Sequence, residues 1–169
     1  DTIALSSAGG SLRLSFTNYG TTSPGGMGGP GGAGGMNDGN SEKGDHSAKG
    51  IKAGNAILVS SGTVAVKSYD DALHANGGVT LENGETSLGN VTVTGGTLTL
   101  FSKDDGIHGD GTVTISGGSV RVSGSYEGIE GSSVVISGGN ISVISTDDGI
   151  NGTATSGTGI RITGGTLYV

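Results

Sequence analysis

The sequence predicts an all-β chain folded as a right-handed parallel β-helix (β-solenoid) of about six rungs with a Gly-rich loop insertion. Three observations lead there. A phrase recurs as SYDDALH (68–74), SKDDGIH (102–108), SYEGIEG (125–131) and STDDGIN (145–151). Each phrase is partnered by a strand–GG–strand segment such as TVTISGGSVRVS (112–123). The apolar marker inside the phrase falls at Ile51, Leu73, Ile107, Ile129 and Ile150, at steps of 22, 34, 22 and 21 residues. That period is too short for a helical hairpin. The residue types are Val, Ile and Thr alternating with Ser and Thr, which favours strands.

The elements follow in chain order. Residues 1–20 form the first rung, because TIALSSAGGSLRLS (2–15) shares the pattern of TVTISGGSVRVS. Residues 21–45 are a Gly-rich excursion. Its core, PGGMGGPGGAGGMNDG (24–39), lacks the strict three-residue period of collagen. Residues 46–169 supply five rungs with acidic corners, and the long step carries one insertion around Leu81–Gly89. The whole is a single domain. A leucine-rich repeat would show a helix or an Asn ladder per unit, and the calcium-binding nonapeptide repeat needs tandem GGxGxDxxx; neither pattern is present.

Each unit reads as three short strands separated by bends. The inward columns are Ile51/Leu73/Ile107/Ile129/Ile150 and Val64/Leu98/Val120/Ile141/Leu167. An outward polar column is Arg13/Ala65/Thr99/Arg121/Ser142/Tyr168. Most of the 38 glycines are expected at corners that need positive φ. The right hand is the usual one for parallel crossovers.

Composition bounds the function. A net charge of −7 argues against nucleic acid as a partner. No apolar stretch approaches transmembrane length. There is no Cys, hence no thiol chemistry. The chain begins at Asp1 rather than Met, which fits a processed secreted chain or an excised segment. A secreted, extracellular or cell-surface location is expected.

Aligning the phrases on the marker exposes an acidic corner. The slot two before it holds Lys49, Asp71, Asp105, Glu127 and Asp148; the slot before that holds Ala48, Asp70, Asp104, Tyr126 and Asp147. The slot after the marker holds Lys52, His74, His108, Glu130 and Asn151. Neighbouring rungs are ~4.8 Å apart. Two bare carboxylates at that distance repel by roughly 3 kcal/mol at an effective dielectric of 20. One Ca²⁺ between rungs reaches oxygens roughly 5 Å apart, so the rung spacing is a calcium-bridging distance. The candidate ligands are Asp70, Asp71, Asp104, Asp105, Glu127, Glu130, Asp147 and Asp148. Asp-Asp-Gly is also ordinary turn chemistry. His74 and His108 face the same corner but read as surface residues, since hard calcium does not favour imidazole. Lys49 and Lys52 cap the acidic columns and balance their charge.

The segment KGIKAG (49–54), the DDGI and YEGIEG phrases and the VTISGG strands resemble a calcium-binding, polysaccharide-lyase-like parallel β-helix carbohydrate-binding family of cellulolytic clostridia. The resemblance spans roughly residues 46–169. It implies calcium at Asp70, Asp71, Asp104, Asp105, Glu127, Asp147 and Asp148, and an association with cellulose and acidic pectic sugars. No sugar-binding motif is matched.

The expected function is therefore a calcium-stabilised extracellular module that binds polysaccharide without catalysis. Tyr69 and Tyr126 flank the corner and are candidate sugar contacts, as are Lys49 and Lys52. Two other readings stand beside it. One is a structural subunit of an extracellular filament, a head-to-tail homopolymer built by end-to-end stacking of open strand edges. The other is a calcium-dependent pectate-type lyase, for which Lys49, Lys52 or Lys103 would be the base.

Overall fold

The computed structural model describes residues 2–6, 13–18 and 48–169. The Gly-rich excursion 21–45 lies outside the described residues. Among the described residues there is no helix, and every named strand pairs in parallel with its neighbours. The chain alternates between two sheets, and each pass pairs with the pass before it. This arrangement is compatible with the predicted solenoid.

Three ladders carry the repeat. The first joins Ile51–Ala53, Leu73–Ala75, the starts of Ile107–Ile115 and Ile129–Ile136, and Ile150–Gly152. The second joins Thr2–Leu5, Ala56–Val59, Asn90–Val93, the ends of the same two long strands, and Ile160–Ile162. The third, a separate sheet, joins Arg13–Asn18, Thr63–Ser68, Thr97–Phe101, Ser119–Val122, Asn140–Val143 and Thr166–Tyr168.

The marker residues stack in the predicted register, Ile51 on Leu73, Leu73 on Ile107, Ile107 on Ile129 and Ile129 on Ile150. Leu73, Ile107 and Ile129 are completely buried, as are Val64, Leu98, Val120 and Ile141 in the third ladder. Each such side chain contributes roughly 1.5–3 kcal/mol by leaving water. No unit could bury this face alone, because its partner atoms belong to the rungs on either side.

Two expectations are corrected. The column that contains Ala65 begins at Ser15, not Arg13: Ser15 pairs with Ala65, while Arg13 pairs with Thr63. The Gly-Gly alignment is thus two residues out of step with the strand pairing. A slip of two preserves strand parity, so alternation alone fits both registers. The second correction concerns glycine. Gly62, Gly96, Gly118, Gly139 and Gly165 have φ between 82° and 93°, as corners demand. The glycines inside the phrase do not. A Cβ on Gly106 would lie 2.6 Å from the Gly128 carbonyl oxygen and 2.7 Å from a Val122 methyl, so close rung packing selects glycine there.

The insertion in the long step is visible as a hairpin-like excursion closed by an antiparallel Thr80–Thr86 bridge. One further irregularity matters. Between the pairs Gly109–Gly131 and Thr112–Ser133, the strand Ile107–Ile115 holds one more residue than Ile129–Ile136. Asp110 and Gly111 there oppose Ser132 alone, a β-bulge.

Candidate metal and carbohydrate site

The bend before the first ladder delivers the acidic residues, and the ladder delivers the residues one after the marker. Backbone bonds between rungs hold the bend in register: Ala72 N–H donates to the Asp105 carbonyl, Gly106 N–H to Glu127, and Gly128 N–H to Asp148. Asp70, Asp71, Asp104 and Asp105 are all buried. Glu127 and Glu130 are half-buried, while Asp147 and Asp148 are exposed. Tyr69 and Tyr126 are half-buried, Lys49 is half-buried and Lys52 is exposed.

Carboxylate oxygens of Asp70, Asp71 and Asp104 lie within 4.8 Å of one another. This is an all-oxygen donor set of the type that suits calcium. Lys49 approaches the same group, its Nζ 2.6 Å from Asp70 Oδ2 and 3.3 Å from Asp71 Oδ2. An ammonium therefore supplies positive charge where a cation is needed. Burial works against the charged ammonium, but the hydrogen bond to Asp70 and the charge of Asp71 outweigh it and raise Lys49 above the ordinary lysine value. One rung on, Glu127 Oε2 and the Ser125 hydroxyl are buried without a hydrogen-bond partner. Such atoms are costly unless a ligand or water meets them.

The imidazoles do more than the sequence suggested. The slot after the marker stacks as Lys52, His74, His108, Glu130 and Asn151. It turns toward the acidic column. His74 Nδ1 bonds Asp71 Oδ2, and His108 Nδ1 lies 2.6 Å from Asp105 Oδ2. The two rings stack with centroids 4.5 Å apart and planes 8° from parallel. Below them, Asn151 Nδ2 donates to Glu127 Oε1 at 3.2 Å and Glu130 Oε2 at 3.4 Å. Asp105 N–H donates to Asp71 Oδ1 at 3.0 Å, tying successive rungs together.

These contacts set the local electrostatics. Burial alone would raise the Asp71 carboxyl; the His74 hydrogen bond, the Asp105 N–H and the Lys49 charge bring it down to about 2. Burial alone would lower His108; the Asp105 hydrogen bond and surrounding carboxylates push it up to about 9. Part of the neutralisation expected of calcium thus comes from Lys49 and His108. The signal that could have found the dyads is a repeated Asp-x-x-His, Asp71/His74 and Asp105/His108. Asp110 left no comparable signal, since its position depends on the bulge.

A family model described as a carbohydrate-binding domain-containing protein matches residues 2–90 and 85–169. No curated protein and no solved structure matches the chain.

Proposed function

The chain belongs to the family of carbohydrate-binding domain-containing proteins, and from that membership we propose a calcium-stabilised, non-catalytic extracellular module that binds polysaccharide, either cellulose or acidic pectic sugars. Its two sheets are wound as a right-handed parallel β-helix, the hand that parallel crossovers favour. Family membership is the observation that carries carbohydrate binding. Calcium rests on the buried set Asp70, Asp71 and Asp104, with buried Asp105 and half-buried Glu127 and Glu130 continuing the acidic corner. Asp147 and Asp148 would complete a further site on the exposed rung. Calcium would neutralise adjacent carboxylates and, for an acidic sugar, link a uronate carboxylate to the corner.

The non-catalytic reading is supported by Lys49. A lyase base must lose its proton near neutral or mildly alkaline pH, whereas two buried carboxylates hold this ammonium protonated. Among the described residues, the outward column of the third ladder carries Thr99, Arg121 and Ser142, with Tyr168 as a single exposed ring beside Ser142, rather than an aromatic strip. Binding is therefore of modest affinity and directed at polar or acidic chains. Retention on insoluble pectin and cellulose, with millimolar calcium or excess chelator, tests the reading. Calcium-dependent retention without release of unsaturated product supports it; retention on neither polymer overturns it.

A further inference from the structure

We propose that His74, His108 and Asp110 form a binding site for a borderline divalent cation of the zinc class, distinct from the all-oxygen calcium set. Each candidate ligand is already held by a second contact. His74 and His108 have their Nδ1 atoms on Asp71 and Asp105, the carboxylate–imidazole arrangement that fixes the tautomer; zinc would take the Nε2 atoms, displacing the proton that His108 shares with Asp110. Asp110 is fixed from behind, its Oδ2 accepting the Gly77 N–H at 3.0 Å. Its other oxygen, Oδ1, lies 3.3 Å from His108 Nε2 and 3.9 Å from His74 Nε2.

Zinc–ligand bonds of about 2.0–2.1 Å place tetrahedral donors roughly 3.3–3.4 Å apart. The Asp110–His108 pair has that edge already, while His74 Nε2 stands 3.9 Å from the same Asp110 oxygen, so zinc binding would draw His74 inward. Two imidazoles and one carboxylate favour zinc, copper or nickel over calcium. The site is reachable: the Asp110 side chain is 46% exposed, while His74 and His108 are 13% and 21% exposed. Asp110 owes its position to the bulge in Ile107–Ile115, the extra residue that re-aims a side chain toward the histidine stack. A fourth position remains for water or a ligand oxygen.

The test uses the whole chain with calcium held at millimolar concentration. Co²⁺ is added and followed by its visible ligand-field absorption, then displaced by Zn²⁺; calorimetry gives the zinc affinity and stoichiometry. The expected result is one tight zinc per chain that calcium does not displace. Asp110→Asn and the double variant His74→Gln/His108→Gln should each weaken zinc by at least about tenfold. Asp110 is exposed, so its variant keeps the fold, checked by circular dichroism. Zinc binding that is unaltered in Asp110→Asn, or that survives in the double variant, overturns the proposal. So does the absence of zinc binding in the wild-type chain.

Discussion

Asp104 is the residue at which the calcium reading meets the hardest test. It is buried beside Asp70 and Asp71 and belongs to an earlier part of the bend than the histidine dyads. Asp104→Asn should therefore weaken calcium binding by about tenfold or more, against little change for Glu82→Gln on the exposed excursion. Calorimetry of both variants checks this. A pH prediction belongs to the same scale. His108 is raised from 6.5 to about 9, so its contribution is full below 6.5 and lost as pH rises through about 9. Asp71 is lowered from 3.8 to about 2, so its contribution is present above 3.8 and lost as pH falls through about 2. The metal-free chain should melt highest between these limbs. His108→Gln should flatten the alkaline limb and leave the acid one, a difference read from melting curves at a series of pH values. The acidic column was legible in the sequence because one marker aligned every phrase. The Asp–His contacts were not, because alignment put both histidines at the acidic corner without saying which carboxylate each ring meets or how far it is drawn in from the surface.

At the scale of the element, glycine serves two constraints that a sequence cannot separate. Gly84 has φ +82° with open space where a Cβ would sit, so Gly84→Ala should cost only the ~1–2 kcal/mol of left-handed backbone. Gly106 has ordinary φ but no room, and Gly106→Ala should cost more than that by pushing adjacent rungs apart. Urea melts of the two variants give the comparison directly. The same logic explains the first-rung register. Strand periodicity is two, so parity distinguishes in from out but cannot distinguish Arg13 from Ser15 as the partner of Ala65. Only the length of the bend does that, and bend length is a matter of backbone geometry.

For the whole molecule, stability is shared between neighbouring rungs. Ile129 is completely buried between Ile107 and Ile150, and Ile129→Ala should cost ~2–5 kcal/mol. Calcium adds a linked contribution: at a hundred times its dissociation constant, a ligand confined to the native state stabilises by about 2.7 kcal/mol. Excess chelator should lower the melting temperature by several degrees, and an unchanged melt would reject structural calcium. The sequence by itself determined the stacked columns, since apolar alternation repeated at a near-constant step has one good burial solution, rung on rung in parallel. It also placed the acidic residues in a common slot. It put Lys49, His74 and His108 at the same corner as well; tertiary structure alone decided the contacts made there, Lys49 with Asp70, His74 with Asp71 and His108 with Asp105, and brought in Asp110 by one extra residue. The physical reason is that burial is read along a strand with a fixed period, whereas contacts across a corner depend on turn geometry and bulges that no period encodes.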